Sequence, residues 1–255
     1  DCSYGYRPQR SPHQCLDALG RTLQQKRVNI LVEADIRGFF DAVNHEWLLK
    51  FLRQRIGDER VIRLISRMLK AGIMEDGLVQ VAEVGTPQGS ILSPLLSNVY
   101  LHYVLDLWFQ RRMRRRCRGE AYLFRFADDF VACFQYQTDA DDWLARLGDR
   151  MEEFHLELAQ EKTRQLEVGR YARANAYRRG EKPKECTFLG MTFFCGKIRQ
   201  GAFKVKRKTS RKKLRQSLAR FTDWIRRYRN LLPTGELLRR AKVRVQGHLN
   251  YYAIT

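Results

Sequence analysis

Phe124-Arg125-Phe126-Ala127-Asp128-Asp129-Phe130-Val131 sets two adjacent carboxylates between two apolar runs, Ala121–Ala127 and Phe130–Tyr136. Strand-forming residues flank the pair on both sides, so the stretch predicts a β-hairpin with Asp-Asp at its tip. A strand sends neighbouring side chains to opposite faces, whereas a tight turn presents both at one end. Two hard oxygen ligands exposed there suit Mg²⁺ or Mn²⁺. The alternative is an ordinary turn, with Asp chosen for its tolerance of turn geometry.

A third acid extends the pattern. Asn29-Ile30-Leu31-Val32-Glu33-Ala34-Asp35 is an apolar, β-branched run ending on a carboxylate, followed by Ile36-Arg37-Gly38-Phe39-Phe40-Asp41. A carboxylate at the end of a buried strand, beside a carboxylate-tipped hairpin, has the layout of a two-metal phosphoryl-transfer site. In such a site, metals about 3.5–4 Å apart stabilise both the attacking and the leaving oxygen. Spacing alone does not join Asp35 to Asp128, and a strand-end Asp also serves as a helix cap.

The charge is distributed unevenly. The 255 residues carry a formal net charge of +20. Residues 1–160 hold 22 basic and 22 acidic side chains, whereas residues 161–255 hold 26 and 6. The whole excess lies in the last third, and Lys204–Arg215 places eight Lys/Arg in twelve positions. This is an electrostatic footprint for nucleic acid, with a steep salt dependence. A solvated basic face, a membrane surface or an acidic protein are the competing readings. The candidate nucleic-acid contacts are Lys204, Lys206, Arg207, Lys208, Arg211, Lys212 and Lys213. Six Arg in Arg111–Arg118 close a long helix, where they offset its dipole.

The length allows one or two domains with a real core. No apolar stretch of about 20 residues is present, so no membrane is expected. The six cysteines form no CxxC and have no histidine at zinc-finger spacing, which favours reduced thiols in a cytoplasmic protein.

Periodicity predicts helices at 11–26, 45–56, 59–71, 94–117, 139–155, 207–231 and 234–252. Strands are predicted at 29–35, 163–168 and 186–195, with 196–205 returning from the last. A hairpin or strand pair is predicted at 77–84, and a polar loop between 168 and 186. Strands mixed with helices and followed by a helical tail predict an α+β fold. The domains are expected at 1–206 and 207–255, with the boundary between Val205 and Ser210.

Seven segments, in order, resemble the reverse transcriptases encoded by bacterial group II introns, also called maturases. They are SYGYRPQRSPHQCL (3–16), VEADIRGFFDAVNH (32–45), GTPQGSILSPLLSNVYLHYVLD (85–106), FRFADDFV (124–131), LELAQEKT (156–163), TFLGMTFF (187–194) and GHLNYY (247–252). The resemblance implies a right-hand polymerase palm, with an antiparallel sheet, the Asp-Asp hairpin and packed helices, followed by an α-helical thumb. It implies an RNA-directed DNA polymerase that adds dNTPs to a DNA primer on an RNA template, and that also binds its intron RNA and aids splicing.

Asp35 and Asp128 would then hold Mg²⁺ (or Mn²⁺), with Asp129 nearby and the Ile36 carbonyl completing one coordination sphere. Phe40 would lie under the sugar and exclude a 2′-hydroxyl. Gln88 and Gly89 would meet the incoming nucleotide, and Lys162 the leaving pyrophosphate. Phe188-Leu189-Gly190 would hold the primer end. A basic fingers segment precedes SYGYRP in that family, so the chain is expected to be a fragment or a truncated reading frame. Two alternatives remain open. One is a non-enzymatic RNA-binding maturase. The other is a domesticated reverse transcriptase of a defence or diversity-generating system.

Overall fold

The computed structural model describes residues 2–70, 73–75, 78–80, 85 and 92–253. They divide into two compact units, the first ending at Lys184 and the second beginning at Glu185. The first contains α1 (Pro12–Gln25), β1 (Ile30–Ala34), α2 (Phe39–Ala42), α3 (His45–Arg53), α4 (Glu59–Lys70), β2 (Ile73–Glu75) and β3 (Leu78–Gln80). It continues with α5 (Ser93–Leu101), α6 (Arg114–Arg116), β4 (Ala121–Phe126), β5 (Asp129–Phe134), α7 (Gln137–Glu153), β6 (Arg164–Glu167) and α8 (Ala172–Arg178).

Four of these strands form one antiparallel sheet in the order β4-β5-β1-β6. The inner strand β5 is apolar at every position from Phe130 to Phe134, and all five residues are buried, as a strand covered on both faces requires. Ile30, Val32, Ala34, Phe130, Ala132 and Phe134 share a core with Trp143, Leu147 and Met151 of α7 and with Leu101, Val104 and Leu105. The alternate residues, including Leu31, Val131 and Cys133, turn to the opposite face. Helix α1 packs on β4 and starts with a capping box. Ser11 Oγ accepts from Gln14 N, and Gln14 Oε1 accepts from Ser11 N, satisfying two donors that would otherwise be orphaned.

The second unit consists of β7 (Cys186–Phe188), β8 (Met191–Lys197) and β9 (Phe203–Thr209), a three-stranded antiparallel meander, followed by α9 (Arg211–Tyr228) and α10 (Thr234–Tyr252). Tyr251 Oη donates to the Leu189 carbonyl at 3.0 Å, tying the end of α10 to the β7–β8 turn.

The α+β expectation holds, but the details differ. The first unit ends at Lys184, ahead of the expected Val205–Ser210 boundary. That boundary falls at the end of β9, whose pairing with β8 keeps it in the second unit. Residues 186–195 were expected as one strand. They span two, because Leu189 and Gly190 both adopt positive φ and reverse the chain. The expected loop after residue 168 contains α8. The pair expected at 77–84 begins earlier, with β2 facing β3. The helix expected over 94–117 runs from Ser93 to Arg116 but includes two π-helical stretches, His102–Asp106 and Phe109–Met113. No disulfide joins any of the six cysteines. Burial pushes the Cys2 and Cys15 thiols up to about 12. No helix among the described residues is long and apolar enough to cross a membrane.

Candidate active site

The β4–β5 hairpin turns through Ala127 and Asp128, closing on the pair Phe126–Asp129. Ala127 has φ 58°, a left-handed conformation that a non-glycine residue adopts at a cost. Three neighbours hold it there. Arg125 Nη1 donates to the Ala127 carbonyl at 2.8 Å and to Asn98 Oδ1 at 2.6 Å. Asn98 Nδ2 in turn donates to the Gly5 carbonyl at 2.7 Å. A Cβ on Gly5 would come within 2.3 Å of Ala127 N, so only glycine permits the SYGYRP segment to lie against this turn.

Arg125 is itself buried. It forms a two-pronged ion pair with Asp106, Nε to Oδ1 at 2.8 Å and Nη2 to Oδ2 at 2.5 Å, with both side chains almost fully enclosed. Burial works to raise the Asp106 carboxyl, but the hydrogen bonds and charges of Arg125 and His102 take it below the ordinary value. Asp106 ends the first π-helical stretch, a departure from α-geometry that often marks functional positions. Sequence reading missed this brace. Its signal was two opposite charges, each inside an apolar run, since buried charges require partners.

Strand β1 lies beside β5 with Ala34 opposite Phe130. One more step along that register sets Asp35 opposite Asp129, at the end of the sheet that carries Asp128. Burial raises the Asp128 carboxyl above 3.8, and the negative charge of Asp35 adds to the effect, against a backbone hydrogen bond, Arg125 and Lys162. The three acids therefore share one end of the sheet. They do not close into a cage: among the described residues no three His, Cys, Asp or Glu groups gather to hold a metal ion. Lys162 instead bonds the Asp35 carboxylate through Nζ. Its own pKa is raised first by that bond and the Asp35 charge, with Asp129 contributing. The lysine is mostly exposed, so the pair is readily exchanged.

Ile36 forms an isolated bridge with Leu158. Asp35 O accepts from Ala159 N and Arg37 N donates to Glu157 O, both at 2.8 Å. By ladder alternation, the peptide groups of Ile36 face the other side, where β5 lies. Phe39 is core, whereas Phe40 is only partly buried, with ring centroids 5.5 Å apart. Gln88 and Gly89 lie outside the described residues. The motif's first residue, Gly85, is buried at φ 95°, donates to Val43 O at 2.9 Å and accepts from His45 Nε2 at 2.5 Å. A Cβ there would meet Asp41 O at 2.9 Å. The glycine-rich segment thus begins against the chain that leaves Asp35.

The basic set in the second unit is not one face. Lys204, Lys206 and Lys208 alternate with Arg207 along β9, while Arg211, Lys212 and Lys213 are exposed on the first turn of α9. Lys208 pairs with Glu185 at 2.7 Å and stands 4.8 Å from the Phe194 ring centroid.

A carboxylate-bearing hairpin in an antiparallel sheet, with a strand-end acid beside it, defines a palm-type polymerase core. The model of the family "Reverse transcriptase (RNA-dependent DNA polymerase)" matches residues 1–193, and the chain belongs to that family. It is 35% identical over 157 residues to Protein YkfC of Escherichia coli K12, covering 51% of this chain and 41% of that protein. It is 41% identical over 114 residues to the group II intron-encoded protein LtrA of Lactococcus lactis, covering 45% and 19%. The chain thus spans less than half the length of these curated relatives. Apo telomerase of Candida tropicalis, truncated from its C-terminal domain, has the same fold, with TM-score 0.55 and 14% identity over 82% of this chain and 41% of that one. The expected resemblance to group II intron reverse transcriptases is borne out.

Proposed function

We propose that this chain is the palm and thumb portion of a group II intron RNA-directed DNA polymerase, and that Asp35, Asp128 and Asp129 are its catalytic carboxylates. The observation that carries the reading is the convergence of these acids at one sheet end, where burial, with the Asp35 charge adding to it, raises the Asp128 carboxyl. A hard divalent cation fits that donor set, since it would relieve the repulsion between two partly desolvated carboxylates. Asp35 and Asp128 would hold Mg²⁺, with Asp129 and the Ile36 carbonyl as further oxygen donors. Bound there, the metal supplies Lewis-acid stabilisation of the attacking and leaving oxygens.

The chain's own residues position the reactants. The 3′-hydroxyl of a primer attacks the α-phosphorus of a dNTP in line, and pyrophosphate leaves. Lys162, on an exposed turn beside Asp35 and Asp129, is placed to trade its carboxylate for the departing phosphates. Arg125 and Asn98 fix the turn that presents Asp128, so little reorganisation accompanies the reaction. Gln88 and Gly89 are assigned to the incoming nucleotide by the motif.

Phe40 follows Asp35 by five residues and keeps part of its ring outside the core, which supports its role under the sugar. Phe40→Ala is expected to increase rNTP incorporation relative to dNTP in single-nucleotide addition. Unchanged discrimination in a folded variant would return Phe40 to the core.

The template is RNA, gripped through phosphates by the basic second unit. Arg211, Lys212 and Lys213 support this, because cations in the first turn of α9 oppose the helix dipole and are explained by an anionic partner. Replacing Lys206, Arg207, Lys208, Arg211, Lys212 and Lys213 with Gln should weaken binding equally for unrelated RNAs. The slope of log affinity against log salt should flatten by about 0.7–0.9 for each phosphate left without its cation. An unchanged slope would make the cluster a solubilising face.

The polymerase reading itself is tested by primer extension. RNA-templated, dNTP-dependent extension is expected. RNA binding without extension would favour the non-enzymatic maturase role.

A further inference from the structure

Arg111, Arg112, Arg114, Arg115, Arg116 and Arg118 occupy the end of the long helical run and the residues after it, and all six are exposed. The buried positions of this stretch are Phe109 and Met113, with Cys117 partly covered. Almost every solvent-facing position is therefore Arg. The six split by direction. Arg112 and Arg116 line a depression of about 270 Å³ together with Arg146, Asp149, Arg150 and Glu153 of α7. Arg116 reaches Asp142 at 3.6 Å. These two face an element that brings its own carboxylates.

Arg111, Arg114 and Arg115 form a separate stripe, since positions three and four apart are neighbours on a helix, and Arg118 continues it two residues past the last helical residue, Arg116. None of their side chains pairs with a carboxylate among the described residues. Arg114 lies 5.8 Å from the centroid of the Tyr122 ring. Offsetting a helix dipole needs a cation or two in the last turn. Four like charges gathered here exceed that need, and Arg111 repels Arg114 and Arg115 at i,i+3 and i,i+4 spacing. Guanidinium groups in this arrangement suit the bidentate geometry of phosphate.

The stripe precedes β4, whereas the carboxylate turn follows it. Six residues of strand put about 20 Å between them, too far for the stripe to touch the reacting nucleotide. We infer that Arg111, Arg114, Arg115 and Arg118 form a second RNA-binding surface, which grips the phosphates of structured RNA away from the polymerising end. This rests on the reading of the chain as an RNA-dependent polymerase. Tyr122 gives the surface an aromatic floor beneath Arg114.

The test is binding of the chain to a structured RNA over a salt series, comparing wild type with the fourfold Arg→Gln variant and the fourfold Arg→Lys variant. The Gln variant is expected to bind more weakly, with a slope shallower by about 0.7–0.9 for each phosphate no longer neutralised. The Lys variant should restore the slope and, by retaining charge, shows whether the Gln protein lost binding or merely folding. Extension on a short primer-template should be unaffected by either change. If wild type binds RNA and the Gln variant keeps its slope, the stripe is no RNA surface, although the polymerase reading stands. If the Gln variant loses binding to phosphatidylserine vesicles and not to RNA, the stripe belongs to a membrane surface and the inference is overturned. If wild type binds no RNA, the polymerase reading fails with it.

Discussion

Replacing Asp128 or Asp35 by Asn is expected to lower DNA synthesis on an RNA template by a factor on the order of 10³, the scale of losing a principal charge stabiliser. The fold should not suffer. Because the Asp128 carboxyl is raised above 3.8 in the folded chain, folding binds protons at this site. That penalises the native state as pH rises through the ordinary carboxylate range. Asp128→Asn removes the penalty, so the variant should be at least as stable as wild type at neutral pH, with the gap closing below the ordinary value. Single-nucleotide addition and urea melts at two pH values measure both effects. Near wild-type synthesis by either variant would remove that residue from the site.

Breaking the Arg125–Asp106 pair should have the largest effect on stability. Asp106→Ala leaves a guanidinium enclosed without its carboxylate, at a cost of about 3–5 kcal/mol. The double change Asp106→Leu with Arg125→Met removes both charges and should recover most of that loss. Synthesis should not recover with it, because the double variant also loses the donor to the Ala127 carbonyl that shapes the Asp128 turn. The pH dependence has the opposite sign to that of Asp128. Asp106 is held below its ordinary pKa, so its contribution is present above that value and lost as pH falls through the lowered one. Single variants no less stable than wild type in urea would show that the brace does not hold the hairpin.

The palm was legible because its signals are local. The apolar runs around Asp128 and the strand ending at Asp35 each encode their own geometry, and α10 spans the predicted 234–252. What escaped depends on tertiary partners. The two π-helical stretches and the pairing of Asp106, at the end of the first, with Arg125 are invisible to helical periodicity. The split of residues 186–195 into β7 and β8 hinges on positive φ at Leu189 and Gly190, within a segment whose composition reads as continuous strand. The basic third was correctly seen as an excess of charge. Its division among the two sides of β9 and the start of α9, and the engagement of Lys208 by Glu185, needed the fold. The candidate acids were named from sequence. Their neighbourhood, with Lys162 on Asp35, was not, because that pairing joins residues 127 positions apart.

The central claim is that the acids at this sheet end form a divalent-cation site. Mn²⁺ titrated into the chain tests it directly, through paramagnetic broadening of backbone amide resonances and without reliance on activity. Asp35, Ile36, Asp128 and Asp129 should broaden first, Mg²⁺ should compete, and Asp128→Asn should abolish the effect. Broadening that begins at the acids of α7, with the hairpin resonances still sharp, would contradict the account.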